Sequence, residues 1–114
     1  MARPIPVYLL PHSATQKYGK PTENDAGTRT WPSSRALSHV RFEPTSRMTM
    51  GKDNKQIALS AIMFFDCRNS SPRSSTFAIG DQISRTGGSA YTVVGGTEPL
   101  CDARQPHHYE LELI

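Results

Sequence analysis

The sequence predicts an all-β fold: a small β-barrel, closed or nearly so, in a single domain with long flexible loops. Three observations carry that prediction. Short segments alternate apolar and polar residues with the period of two that belongs to strands. Glycine, proline and asparagine punctuate those segments at short intervals. No stretch shows a convincing helical period, and 114 residues fit one domain. The clearest segment is Pro106–Ile114, where Tyr109, Leu111 and Leu113 alternate with His108, Glu110 and Glu112. A terminal strand must be pinned into a sheet or it frays, and three apolar side chains on one face supply the pinning. Closing the sheet into a barrel also hides the edges that invite aggregation.

In chain order, Val7–Pro11 reads as a short strand bounded by prolines, suited to a sheet edge. Ser13–Ser34 is rich in Thr, Ser, Gly, Pro and Lys, with Tyr18 and Trp31 its only large apolar groups. Such a segment cannot offset its own ordering entropy. It is expected to be a flexible arm, with a random-coil reach of about 26 Å. Ala36–Glu43 reads as a strand with Val40 and Phe42 on one face and His39, Arg41 and Glu43 on the other, and Pro44 ends it. Thr45–Lys55 is a projecting loop; as an extended hairpin it reaches about 17 Å from the barrel.

Gln56–Cys67 is the longest apolar stretch. Ile57, Leu59, Ala61, Met63 and Phe65 alternate, while Ile62 and Phe64 make its second half apolar on both faces. It reads as a central strand, a barrel wall pressed by a neighbour. Thr76–Ile79 leads into Gly80-Asp81; Gln82–Arg85 and Ala90–Val94 flank the hairpin signal Gly87-Gly88. Gly95-Gly96 and Pro99 break the chain before the last strand. The expected core is Val40, Phe42, Ile57, Leu59, Phe65, Phe77, Ile79, Ile83, Tyr91, Val93, Tyr109, Leu111 and Leu113.

Composition narrows the function classes. No apolar run approaches the roughly 20 residues that span a bilayer, and the start lacks the apolar region of a secretory signal. A soluble, cytosolic protein with no membrane association is expected. The net charge of +3 hides an asymmetry: residues 1–55 hold nine Lys or Arg against four carboxylates, and residues 56–114 hold four against six. Basic side chains therefore gather where the chain is loop-rich. Cys67 and Cys101 have no metal-ligand spacing, and Cys67 ends an apolar run as a small packing residue.

Motifs of catalysis are missing. There is no phosphate-cradling glycine loop, nucleophile elbow or His-Glu-x-x-His. His107 and His108 are adjacent and, on a regular strand, point to opposite faces. Asp66, Asp81 and Asp102 each sit beside turn residues, where Asp caps the backbone. Glu110 and Glu112 share a solvated or subunit-facing strand face. A small barrel also raises a nucleic-acid-binding module of the OB or SH3-like kind, which needs aromatics interleaved with basic residues on an exposed face. Alternation puts Phe42, Phe65, Phe77, Tyr91 and Tyr109 inside, leaving Tyr18 and Trp31 for stacking.

Pro106-His107-His108-Tyr109-Glu110 at the chain end resembles the tailed-phage family called minor capsid protein. The likeness extends to His39-Val40-Arg41-Phe42-Glu43-Pro44, to Leu59–Asn69 with its Phe64-Phe65-Asp66-Cys67, and to Phe77–Ile83. It spans roughly Val7 to Ile114, with Ser13–Ser34 the poorly matching part. Members are similar to the head-closure, or stopper, proteins of the head-to-tail connector. The resemblance implies a stopper-type barrel, without catalytic activity, cofactor or metal. Such a protein is made in the host cytoplasm and resides in the virion. There it forms a ring of on the order of six or twelve copies below the portal and adaptor ring, retains packaged double-stranded DNA and docks tail proteins. Two segments compete to close the channel. The loop Thr45–Lys55 offers Arg47, Lys52 and Lys55 for non-specific phosphate contact, and Met48 and Met50 to plug the lumen; its alternative is a solvated hairpin on the outer rim. The arm at 13–34 offers Tyr18 and Trp31 as contacts to an adjacent ring, or Trp31 tucks over the domain's own core.

Overall fold

A computed structural model describes residues 5–50, 55–72, 75–102 and 105–114. Eleven strands are present among them: β1 (His12–Tyr18), β2 (Thr22–Glu23), β3 (Arg29–Thr30), β4 (Ser33–Pro44), β5 (Met48–Met50), β6 (Gln56–Ala58), β7 (Ala61–Asp66), β8 (Gln82–Arg85), β9 (Ala90–Gly95), β10 (Leu100–Asp102) and β11 (Gln105–Leu113). Six of them follow one another around a closed antiparallel barrel in the order β11, β7, β4, β1, β8, β9 and back to β11. The short β10 extends the sheet from the first half of β11. The ribbons β2–β3 and β5–β6 stand outside the barrel sheet.

Alternation fills the barrel. The pairs Val40↔Phe65↔Tyr109 and Phe42↔Met63↔Leu111 place those side chains on the inner face, with Ile83, Val93 and Leu113. Phe65, Phe77 and Tyr109 meet edge to face, with ring centroids 4.9–6.2 Å apart. A six-stranded barrel is too narrow to leave a lumen once such residues enter it.

Several expectations are corrected. Val7–Pro11 is not a strand: Leu9 and Leu10 donate to the carbonyls of Pro6 and Val7, making a 3₁₀ turn over Val7–Leu9. The segment expected to be a flexible arm from Ser13 supplies a barrel strand, β1. Its inward positions carry Ala14 and Gln16, too small or too polar to show as an apolar stripe. Gln16 is nonetheless fully buried, and its amide donates to Thr76 O and Asp81 Oδ2, both at 2.9 Å. The run Gln56–Cys67 is two strands, because the chain turns at Leu59-Ser60. Thr76–Ile79 is irregular; Phe77 is buried, while Ile79 is 54% exposed. Ile57 and Tyr91 are only half-buried, and Leu10, Ala14, Leu37, Ala61, Ile62 and Met63 join the buried set. Leu37 escaped the alternation because β4 bulges: His12 pairs with Val40 but Ala14 with Leu37. His39, at φ 55°, absorbs the extra residue, so Leu37 and Val40 both face inward.

The neighbour pressed on the outer face of β7 is the chain's own start. Ile5, Leu9 and Leu10 line a pocket of about 340 Å³ with Phe64, Arg41 and Glu43. Asp66, wholly buried, pins this segment: Oδ2 accepts from Ile5 N at 2.7 Å, and Oδ1 accepts from Arg68 N and Asn69 N at 2.8 Å. Asn69 Nδ2 returns a bond to Ile5 O at 2.7 Å. A carboxylate that takes three backbone N–H groups is a strong acceptor, and its removal orphans them all. Asp66→Ala should cost about 3 kcal/mol or more, and Asp66→Asn about 1–2 kcal/mol, measured as the shift in urea midpoint.

His12 adds a pH dependence. Its Nδ1 accepts from Phe42 N at 3.0 Å, so this nitrogen must be unprotonated. Burial, then the charges of Arg85 and Arg41, hold its pKa below the usual 6.5. The unfolded chain thus takes up the proton first as pH falls. The stabilisation is complete above about pH 6.5 and is lost as pH drops from there through the folded pKa. Urea midpoints from pH 7.5 to 5 should fall more steeply for the wild type than for His12→Asn.

Candidate functional site

Two ribbons carry the candidate residues. In the first, Met48 pairs with Ala58, Thr49 with Ile57 and Met50 with Gln56. The base is closed by Leu59 N donating to Arg47 O at 2.9 Å and Thr45 N donating to Ser60 O at 3.2 Å. Met48 is 49% exposed and Lys55 is exposed. Lys52 and the side chain of Met50 lie outside the described residues. Arg47 reaches away from the ribbon: its Nη2 is 3.2 Å from Glu112 Oε2 on β11. Thr49 Oγ1 donates to the other oxygen of the same carboxylate at 3.3 Å. Sequence reasoning placed Glu112 on a solvated or subunit-facing strand face and missed this node. No sequence signal marks it: Glu112 pairs with Gly95 only because the barrel closes.

The second ribbon joins β1 to β4. Asn24 Oδ1 accepts from Ala26 N and Thr28 N, folding the tip, and Arg29 pairs with Glu23 at 3.2 Å. At the neck, Gly19 has φ 95°, and a Cβ there would lie 2.5 Å from Pro32 Cγ. Only glycine fits. Trp31 is half-buried and its indole N–H donates to Gly80 O at 3.2 Å. Tyr18 lies under the Arg35 guanidinium, 4.0 Å from its ring centre. A groove of about 240 Å³ beside them is lined by Lys17, Arg29, Trp31 and the hydroxyls of Thr30, Ser33 and Ser34. The described channel-loop cations, Arg47 and Lys55, belong to the first ribbon and the two aromatic anchors to the root of the second, and no described contact brings them together.

The remaining polar groups serve the fold. Asp66 and Asp81 both cap turns, the latter accepting from Ala78 N at 3.0 Å; the side chain of Asp102 lies outside the described set. His107 and His108 do not diverge: their Nδ1 atoms are 2.7 Å apart, and His108 Nε2 lies 2.8 Å from Glu110 Oε2. The cause is a bulge, since Leu100 pairs with His108 but Cys101 with Pro106. No group of three potential metal ligands occurs among the described residues. Both cysteines are free. Burial, then Asp66 and Cys101, push the Cys67 thiol above its ordinary pKa, away from nucleophilic reactivity. Of the aromatics, Phe42, Phe65, Phe77 and Tyr109 are buried, Tyr18, Trp31, Phe64 and Tyr91 are half-buried, and Tyr8 is 80% exposed.

The model of the minor capsid protein family matches residues 6–113, and the chain belongs to that family. It is a structural protein of a phage virion. No curated protein and no solved structure matches it.

Trp31, the sole tryptophan, reports on the second ribbon. Its emission in the free subunit should be blue-shifted relative to the urea-unfolded chain. Trp31→Ala should speed tryptic cleavage after Arg29, while the bond after Lys17, in β1, stays resistant. Equal rates in both proteins would show that the Gly80 contact does not hold this ribbon.

Proposed function

We propose that this protein closes the head of a tailed phage. As a ring below the portal and adaptor proteins, it retains packaged DNA and presents a docking surface to the tail. The observation that carries this reading is the family match over residues 6–113. The filled barrel fits it: a passage for duplex DNA cannot run through one subunit and must arise between copies. In a ring each subunit offers two different patches to its neighbours, and the basic first half and acidic second half of the chain suit such contacts.

The β5–β6 ribbon is the gate in this reading. It stands outside the barrel sheet, exposes Met48 and Lys55, and carries Arg47 at its base. Apolar Met side chains block the lumen, and Arg47, Lys52 and Lys55 meet phosphates without reading sequence. The β2–β3 ribbon, with Trp31 and Tyr18 at its root, faces an adjacent ring. The protein acts without catalysis, cofactor or metal. Particles assembled with residues Met48–Asn54 deleted should package DNA and then leak it, or fail to join tails. Retention of DNA and normal tail joining by that deletion would assign the gate elsewhere, whereas normal virions lacking the protein would overturn the head-closure role itself.

A further inference from the structure

Glu112 sits where three elements meet. It lies on the outer face of β11, since its neighbours Leu111 and Leu113 point into the core with no exposed surface. One oxygen receives the Arg47 guanidinium and the other the Thr49 hydroxyl, so two side-chain contacts of the β5–β6 ribbon end on a single carboxylate. The carboxylate lies over Gly95 of β9: a Cβ there would stand 2.1 Å from Glu112 Oε1 and 3.2 Å from its Cδ. Gly95 does not have positive φ, so its backbone does not demand glycine. The missing side chain makes room for the carboxylate instead.

From this geometry we infer that Glu112 is a latch that holds the β5–β6 ribbon in a docked position on the barrel of the free subunit. A two-stranded ribbon of three residues per strand is not stable by itself, so contacts at its base decide its position. Arg47 is also the basic residue of the ribbon nearest the barrel. Its guanidinium faces Glu112 through Nη2 while the side chain stays 53% exposed, so a DNA phosphate can reach it and compete with the latch. Docked and released ribbon are thus two states, and a polyanion favours the second. The inference rests on the reading of this ribbon as the gate only for its purpose; the latch itself is a property of the isolated subunit.

The test is hydrogen exchange of the free subunit, comparing amides of residues 45–59 with those of Thr92 and Ile114, which bond each other's carbonyls across the barrel seam. Glu112→Gln removes the charge, Arg47→Gln removes its partner, and Gly95→Ala displaces the carboxylate without altering either. The two charge variants should each speed ribbon exchange about two- to fivefold, the scale of one partly exposed ion pair, Gly95→Ala, which disturbs both contacts, about five- to tenfold, and all three should leave Thr92 and Ile114 unchanged. Arg47→Gln added to Gly95→Ala should add nothing further, since displacing the carboxylate already breaks the ion pair. Unchanged ribbon exchange in Glu112→Gln and Arg47→Gln would overturn the latch. So would an equal rise at Thr92 and Ile114, which would mean loss of the barrel rather than release of the ribbon. Arg47 is largely solvent-exposed, so its variant decides the matter even where a change at the seam harms folding. Leakage from particles carrying the Met48–Asn54 deletion tests the gate separately, so either idea can fail alone.

Discussion

The barrel depends on β11 being hydrogen-bonded along both edges. On one side it pairs with β7 from His108 to Leu113, and on the other with β9 through Glu112↔Gly95 and Leu113↔Val93. Reciprocal bonds between Thr92 and Ile114, at 2.8 and 3.0 Å, lock the end. Without this seam, β9 and β11 would both be open edges, and the core would face water between them. Tyr109, Leu111 and Leu113 join the seam to the core; each such side chain contributes about 1.5–3 kcal/mol on burial. The seam also fixes why two glycines lie together. Gly96, at φ 72°, lets the backbone pass where a Cβ would be 2.0 Å from Glu110 O, and Gly95 leaves space for the Glu112 carboxylate.

Closure has a second consequence, for the polar residues. A small barrel has few places to bury apolar surface, so this one recruits its loops as plugs and pins them with side-chain acceptors. Asp81 and Gln16 hold the irregular segment that delivers Phe77 to the aromatic trio, and Asp66 holds the segment that covers Phe64. The sequence already marks both carboxylates as turn caps, since each stands beside turn residues. Here their oxygens already have backbone or amide donors, which is the physical argument for a structural role.

Most of the barrel was legible because its strands alternate. β8, β9 and β11 follow Ile83, Val93 and the Tyr109-Leu111-Leu113 series closely. What was illegible has particular causes. β1 presents Ala14 and Gln16 inward, and polarity at a core position erases the pattern that identifies a strand. β4 hides Leu37 behind a bulge at His39, and the bulge at His107 turns two adjacent histidines to the same side. Periodicity counts residues evenly, and a bulge breaks the count. For the candidate site, composition located a basic, methionine-bearing loop between β4 and β6. It could not locate Glu112, which is 65 residues from Arg47 and meets it only because the barrel closes.

That distance in sequence matters for how such a subunit works. The core elements are held by many buried side chains, whereas each ribbon is held by a handful of polar contacts near its base. Regions of low local stability are those free to move without unfolding the rest. A ribbon whose Arg47 and Thr49 side chains bond one carboxylate at the seam can lose those contacts at small cost to the barrel, because the seam's own backbone bonds do not involve that carboxylate. Rigidity and mobility are therefore separated within a single residue of β11: the backbone of Glu112 closes the barrel, and its side chain holds the ribbon. A ligand that takes Arg47 weakens the second contact and leaves the first intact.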